Sequence, residues 1–326
     1  MKITKKILIE NQKKIIFTAG PASLSVENLS ELKPCFGRGD DEYLKVENYV
    51  LKKLLKISGQ KTIARIQGSG SLGIEIMAAN FLFGNVLIID TGYYSDRLGL
   101  ISHQVKKNYK NIKKIKTINW KNINEISGNY DWIFACSTET SCGLKLPIES
   151  LYDLKKRTKS KLMIDATASI GLEKKHDLAD AISFSSCKGL FGLTGACFVA
   201  FNANIENEIN SFYLNLSNHL QKKMTGPYHT IYSLFEVLKK YEKFRYSVLI
   251  NKEKFCKKMK NYLTLPKQNQ PLLCTHTSKK IIAKDKKVIL YEPRNNLEGS
   301  IVCHLGEAHL KKEAKGKIID HLNISK

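Results

Sequence analysis

The chain has 326 residues, 43% of them hydrophobic and 9% aromatic, which fits a soluble globular protein with one large or two moderate domains. No apolar run approaches the roughly 18 residues of a membrane span, and the amino terminus lacks the apolar core of a secretory signal. We therefore expect a cytoplasmic protein with no membrane partner.

The net charge of +23 at pH 7 comes mainly from lysine, because arginine supplies only six of the 53 basic residues. Proteins that read nucleic-acid sequence favour the bidentate arginine fork, whereas lysine spread along a chain is also what an AT-rich coding sequence produces. We therefore expect no nucleic-acid partner. The excess positive charge would still draw anionic substrates towards the protein.

Eight cysteines are distributed along the chain, several of them inside apolar, strand-like runs. They form no C-x-x-C pair and no spacing typical of a zinc site with His and Cys ligands. We predict reduced thiols, as in a cytoplasmic protein, and no metal site.

Strand-like runs alternate with helical patterns through most of the chain. Strands are predicted at 62–66, 86–90, 112–118, 131–136, 161–165, 181–185 and 194–201. Helical patterns are predicted at about 45–56, 72–82, 227–242 and 247–263. This alternation predicts an α/β fold in which helices cover both faces of a mostly parallel sheet. The sheet would belong to a large domain at 17–244, between an N-terminal arm (1–16) and a short α+β domain (245–326).

Two polar residues follow neighbouring strand-like runs. Asp165 ends one apolar run, and Lys188 stands among small residues just after the next. A desolvated lysine can act as a covalent catalyst, and a carboxylate at a strand end can keep a pyridine nitrogen protonated. Pyridoxal phosphate (PLP) needs both groups, although a structural aspartate and a surface lysine would give the same pattern.

A small-residue turn, Gln-Gly-Ser-Gly-Ser at 67–71, lies between the first strand and a helix. Such a turn folds closely around an anion, and the helix amino terminus adds free N–H groups and a partial positive charge. The turn lacks the lysine pattern of a Walker loop. The pattern at Ser69, Gly70 and Ser71 is typical of a turn that binds an anion.

Taken together, these motifs resemble those of fold-type I PLP enzymes of the class V aminotransferase branch. The resemblance covers roughly residues 17–245 and is strongest to 2-aminoethylphosphonate–pyruvate aminotransferases. Tracts 91–97 and 137–143 resemble two further segments of that family. The cofactor implied by the resemblance is pyridoxal 5′-phosphate.

The resemblance also implies a role for each site residue. Lys188 would bond PLP and move protons, Asp165 would pair with the ring nitrogen, and Tyr94 and Thr167 would sandwich the ring. Thr140 would bind the phenolic oxygen. The phosphate would be held by Ser69, Gly70, Ser71, Ser185 and Thr225. In the family the residue matching Thr225 reaches the other subunit's cofactor, so a homodimer with shared active sites is implied.

The sequence departs from the family at the substrate end. Cys187 replaces an amide residue before the lysine, and Ile301 stands where the family has an arginine that clamps the substrate carboxylate. Losing a bidentate contact to a carboxylate is not a conservative change. Arg294 and His304 are the candidates to replace it, and the C-terminal domain is short.

The sequence therefore predicts an aminotransferase that transfers an amino group between a small amine and a 2-oxo acid such as pyruvate. An amine bearing phosphonate or phosphate would suit the charge. Two alternatives stay open: a PLP-dependent lyase or decarboxylase, which the missing arginine favours, and a non-catalytic polyanion-binding protein with this fold. The sequence names neither the amino donor nor the acceptor.

Overall fold

The computed structural model describes residues 2–325, apart from 12, 23, 31, 36 and 307–317. The described α-helices are α1 (Lys2–Asn11), α2 (Asp41–Ser58), α3 (Gly70–Phe81), α4 (Tyr93–Tyr109), α5 (Ile148–Thr158), α6 (Leu216–Leu220), α7 (Tyr228–Lys239) and α8 (Tyr241–Lys258). Short 3₁₀ helices lie at Val26–Asn28, Trp120–Glu125, His176–Leu178, Lys260–Tyr262, Lys267–Asn269 and Ile318–His321. No described helix is long and apolar enough to cross a membrane.

One seven-stranded sheet dominates the fold. The described strands of the first 201 residues are β1 (Ile15–Phe17), β2 (Thr62–Gln67), β3 (Gly84–Asp90), β4 (Ile112–Asn119), β5 (Trp132–Cys136), β6 (Thr138–Glu139), β7 (Leu144–Lys145), β8 (Lys161–Asp165), β9 (Ala181–Ser185) and β10 (Ala196–Phe201). All of them except β1, β6 and β7 belong to this sheet. The sheet order is β2-β10-β9-β8-β5-β3-β4, and only β10 runs antiparallel to its neighbours. This architecture confirms the predicted α/β fold.

Helices cover both faces of the sheet, as predicted. Alternate residues of each strand point to opposite faces. In β8, Leu162 and Ile164 join a core cluster with α2, α5 and α7, whereas Met163 joins a second cluster with α3 and α4. Because both faces are buried, the central strands are continuous apolar runs. The same alternation turns Asp165, two residues after Met163, towards α3 and α4.

The C-terminal region adds small two-stranded sheets. Its strands are β11 (Cys274–Thr277), β12 (Ile281–Ala283), β13 (Val288–Leu290), β14 (Ser300–Cys303) and β15 (Leu322–Ile324). β14 pairs with β11, β15 with β12, and β13 with β1 from the N-terminal arm. The predicted division into an arm, a large domain and a small domain stays a prediction, and 307–317 of the small domain lie outside the described residues.

Several predicted boundaries need correction. The helix predicted at about 45–56 begins at Asp41, because the Asp40 side chain accepts hydrogen bonds from the amides of Glu42 and Tyr43. The last predicted helix begins at Tyr241, directly after α7, and ends at Lys258. The sequence pattern predicts no helix in the regions of α4 and α5, which the structure shows to be helical. The α4 helix matters most, since its amino end lies beside the candidate site.

Candidate active site

A cavity of about 710 Å³ opens at the carboxyl ends of the parallel strands. Predicted site residues line it from several strands and loops: Ser69, Gly70, Ser71, Tyr94, Thr140, Asp165, Thr167, Ser185, Lys188 and Arg294. The fold therefore brings together groups that are up to 225 residues apart in sequence. This convergence at one edge of an open α/β sheet is the arrangement expected of a ligand site.

Asp165 is the carboxylate of the cavity. It ends β8, is only 3% exposed, and accepts a hydrogen bond at Oδ1 from the backbone amide of Thr167 (2.9 Å). Its Oδ2 lies 3.4 Å from Nη2 of Arg97. A buried carboxylate needs such partners, because leaving it unpaired costs several kcal/mol.

Lys188 lies in the loop that follows β9. Backbone bonds from Gly192 N to the Ser186 carbonyl and from Phe191 N to the Lys188 carbonyl (2.9 Å each) shape that loop. Gly20 packs against the lysine stem so closely that a Cβ there would lie 3.0 Å from Lys188 Cγ. The ammonium nitrogen lies 5.7 Å from the ring centroid of Tyr94. The lysine is thus fixed along its stem and directed into the cavity.

The predicted phosphate turn begins helix α3. Ser69 is the residue before the helix, and Gly70 and Ser71 are its first two residues, so their amide groups face no earlier turn of helix. A Cβ on Gly70 would lie 3.1 Å from the Thr167 side chain, so any larger residue would crowd the cavity wall. The amino end of α3 is therefore open to an anion.

Glu139 positions the amino end of α4. Its Oε2 accepts hydrogen bonds from the amides of Tyr94 (2.9 Å) and Ser95 (3.3 Å), and Ser141 Oγ donates to Oε1 (2.5 Å). Burial raises the pKa of Glu139 above its ordinary value, an effect that these hydrogen bonds oppose. The contact holds the Tyr94 ring at the cavity wall. The predicted tract 137–143 thus serves partly as a helix cap.

Three threonines provide unused hydrogen-bonding capacity. Thr138, Thr140 and Thr167 line the cavity, and within the described part of the chain their buried Oγ1 atoms have no hydrogen-bond partner. Buried polar groups in proteins are normally satisfied. Unpaired hydroxyls, a buried carboxylate, a lysine and an open helix amino end match the polar groups of PLP, so the residues present fit this cofactor.

Cations outnumber carboxylates around the cavity. Its described lining contains Lys188, Arg97 and Arg294, with Asp165 as the only acidic side chain. Arg97 is a cavity residue that the sequence did not predict. The available sequence signal was its place at the end of the tract 91–97, which resembles a segment of the aminotransferase family. The balance favours anionic ligands.

At the substrate end, only one of the predicted residues reaches the cavity. Arg294 lies exposed at the cavity mouth, where its Nη1 donates to the Tyr93 hydroxyl (3.3 Å) and its guanidinium carbon lies 5.5 Å from the Tyr93 ring centroid. Ile301 is 1% exposed, in the core of the C-terminal region. Neither Ile301 nor His304 lines the cavity.

His304 lies too deep to take up the predicted substrate role in this structure. Its Nε2 is 3.0 Å from Thr275 Oγ1, and its ring packs against Phe255. Burial lowers the pKa of His304 to about 3, so the imidazole is neutral near pH 7. Thr225 also lies outside this chain's cavity, exposed in the loop before α7. No group of three metal-binding side chains exists among the described residues.

The sequence is similar to 2-aminoethylphosphonate–pyruvate transaminases. The Pseudomonas aeruginosa protein (strain PAO1) is 26% identical over 257 residues, a match covering 70% of this chain and 68% of the relative. The Vibrio vulnificus protein of the same name is 24% identical over 252 residues, covering 69% and 68%. No model of a known protein family matches the chain.

Solved aminotransferases share the fold. Ureidoglycine–glyoxylate aminotransferase from Bacillus subtilis superimposes with a TM-score of 0.78 at 16% identity, covering 94% of this chain and 91% of that one. Alanine–glyoxylate aminotransferase from Nostoc sp. gives 0.78 at 17% identity and 94% of both chains. The resemblance predicted from the motifs is therefore confirmed: in sequence and in fold, this chain is similar to aminotransferases of the class V type.

Proposed function

We propose that this protein is a PLP-dependent aminotransferase that moves an amino group between a small amine and a 2-oxo acid such as pyruvate. The observation that carries the proposal is the meeting of Lys188, Asp165 and the open amino end of α3 in one cavity. Sequence similarity to transaminases and the shared fold support the same conclusion.

The residues of the cavity divide the work by position. Asp165 would hold a proton on the ring nitrogen, and Tyr94 and Thr167 would contact the two ring faces. Thr140 would donate to the phenolic oxygen. When bound, PLP supplies an electron sink that stabilises negative charge at the substrate carbon. Lys188 would hold the cofactor covalently and, once released by the incoming amine, carry a proton at Nζ between two carbon atoms.

The phosphate end relies on backbone groups and hydroxyls. Ser69, Gly70, Ser71 and Ser185 would hold the phosphate, with the α3 amino end supplying a partial positive charge. Cys187 replaces a residue that could donate a hydrogen bond. We propose a homodimer in which the exposed Thr225 reaches the partner's phosphate, which would explain why Thr225 lies outside this chain's own cavity.

The substrate class follows from charge and from the relatives. The cavity lining is cationic, and the similar proteins of Pseudomonas and Vibrio are named for 2-aminoethylphosphonate and pyruvate. We propose a small amine bearing phosphonate or phosphate as donor and pyruvate as acceptor. Arg294 is the proposed contact for the oxo acid's carboxylate, since Ile301 provides none. All eight cysteines are free, which supports a cytoplasmic location.

Spectroscopy and half-reactions test the proposal. Purified protein incubated with PLP should gain visible absorbance, and borohydride reduction should fix a pyridoxyl group on Lys188. 2-Aminoethylphosphonate should then convert the bound cofactor to its amine form, and pyruvate should reverse the change. Binding without conversion by any oxo acid would favour the lyase alternative. No PLP binding would favour a non-catalytic polyanion-binding protein.

A further inference from the structure

One arginine contacts three sides of the proposed cofactor site. Arg97, near the amino end of α4, donates from Nη1 to Ser71 Oγ (3.0 Å) and lies within 3.4 Å of Asp165 Oδ2 through Nη2. Its guanidinium carbon lies 5.0 Å from the ring centroid of Tyr94. The same side chain therefore contacts the phosphate turn, the ring-stacking tyrosine and the buried carboxylate.

Arg97 is the cation paired with the Asp165 carboxylate. Among the described residues, Arg97 is the only cation that forms an ion pair with Asp165, and the Thr167 amide is the carboxylate's other partner. The Arg97 side chain is 28% exposed and that of Asp165 is 3% exposed. A carboxylate this deeply buried would be strongly disfavoured as an ion without a paired cation.

The shape of the Arg97 guanidinium suits it to contact two acceptors at once. Its planar fork can bind two acceptors at a fixed angle, which a lysine ammonium on a flexible stem cannot reproduce. Nε of Arg97 is buried without a hydrogen-bond partner among the described residues, so the two Nη groups make all of its described hydrogen bonds. The orientation of Arg97 is thus set by Ser71 and Asp165.

We propose that Arg97 is a positioning residue that holds the Asp165 carboxylate in place and aimed into the cavity, so that it is ready to hold the protonated ring nitrogen of the cofactor. This inference rests on the proposed function. The contact with Ser71 would only anchor the Arg97 guanidinium. Arg97 would therefore act through Asp165 and not through the phosphate.

A double-mutant cycle separates these roles. The variants are Arg97→Gln, Asp165→Asn and the double variant. The control is Arg157→Gln, because the Arg157 guanidinium also donates hydrogen bonds, but to the carbonyls of Ile123 and Ile126. Binding is titrated with PLP and with pyridoxal, which lacks the phosphate. The pH at which the bound cofactor's visible absorbance changes is recorded for each protein.

We expect Arg97→Gln to weaken binding of both PLP and pyridoxal about tenfold or more and to shift that pH, whereas Arg157→Gln changes neither. In the Asp165→Asn background the same substitution should have little further effect. Equal losses in both backgrounds would overturn the inference. So would weaker binding of PLP with normal binding of pyridoxal, because Arg97 would then act on the phosphate.

The apoprotein provides a second readout. Chemical denaturation is measured for the cofactor-free wild type, Arg97→Gln, Asp165→Asn and the double variant, and the losses of stability in the two single variants should not add. Arg97→Lys should recover part of the loss seen in Arg97→Gln, because it retains the charge. Additive losses would contradict the coupling. Failure of the wild type to bind PLP would reject the proposed function, whereas normal PLP binding with an additive cycle would reject only the role of Arg97.

Discussion

The two sides of the cavity differ in how their functional groups are held. On the sheet side, Asp165 is buried, bonded to the Thr167 amide and paired with Arg97. On the C-terminal side, Arg294 is exposed and bonds only to the hydroxyl of Tyr93 among the described residues. Preorganised groups act without a further cost of ordering, whereas exposed ones must be ordered at each binding event.

This difference teaches where specificity can vary. The sheet side is set by strand ends that also build the core, so changes there should be severe. The C-terminal side contributes one exposed arginine from a loop, so changes there should be mild and selective.

The largest effect is expected at Lys188. Lys188→Ala should abolish turnover and covalent cofactor attachment while the fold is retained, because the amine is the proposed covalent group. Borohydride reduction followed by peptide mapping measures this. The matched control is Lys252→Ala: burial lowers the pKa of Lys252, whose Nζ donates to the Gln270 carbonyl (3.0 Å) outside the cavity. A pyridoxyl label on Lys252 or any lysine but Lys188 would disprove the assignment.

The next effect is expected at Asp165. Asp165→Asn should leave PLP bound but lower turnover by orders of magnitude, since an amide holds a ring proton poorly and an unprotonated pyridine is a weak electron sink. Single-turnover kinetics with the amine donor measure the loss. Near-normal rates would mean that Asp165 is only a structural carboxylate at a strand end.

Two of the buried histidines, one before β9 and one directly after β14, predict acid sensitivity. Burial lowers the pKa of His176 to about 4 and that of His304 to about 3, from an ordinary 6.5. Below about pH 6.5 the unfolded chain therefore binds more protons, and the free energy of unfolding falls. From pH 7 to pH 5 the loss should be about 2 kcal/mol for each histidine.

Denaturant midpoints of wild type, His176→Gln and His304→Gln at both pH values measure this loss. In each variant, the free energy of unfolding should fall less between pH 7 and pH 5 than in the wild type, by about 2 kcal/mol. This holds even if the variant is less stable than the wild type at pH 7. The same pH dependence in all three proteins would show that neither histidine is kept neutral by burial.

The smallest effect is expected at Arg294. Arg294→Ala should leave PLP binding unchanged and raise the pyruvate concentration needed in the second half-reaction, because only the carboxylate contact is lost. Tyr93→Phe is the control, since it removes the hydroxyl that holds Arg294 in the ligand-free protein. Unchanged pyruvate use by Arg294→Ala would reject the role.

The sheet side could be predicted from the sequence because its signals are local. Asp165 and Lys188 each follow an apolar run, and parallel strands bring their carboxyl ends together. The Gly-Ser-Gly turn indicates the amino end of a helix. These positions required no knowledge of distant packing, and the fold prediction was confirmed.

The α4 helix, the direction of Arg97 and the burial of His304 depend on tertiary contacts. The start of α4 is fixed by Glu139, about 45 residues away, so neither the helix nor the direction of Arg97 was visible in the local pattern. The burial of His304 follows from packing between α8 and a small sheet. A histidine at the end of a strand looks the same in sequence whether it faces a cavity or a core.

The thiols of this chain form two chemically distinct populations. Cys136, Cys197, Cys274 and Cys303 are buried, whereas Cys35, Cys142, Cys187 and Cys256 are partly exposed. Of the partly exposed thiols, Cys187 is the one that lines the cavity, directly beside Lys188. An alkylating reagent should therefore reach Cys187 in the native protein and be blocked when the cavity is filled. The rate of alkylation at that one position would measure occupancy without any turnover.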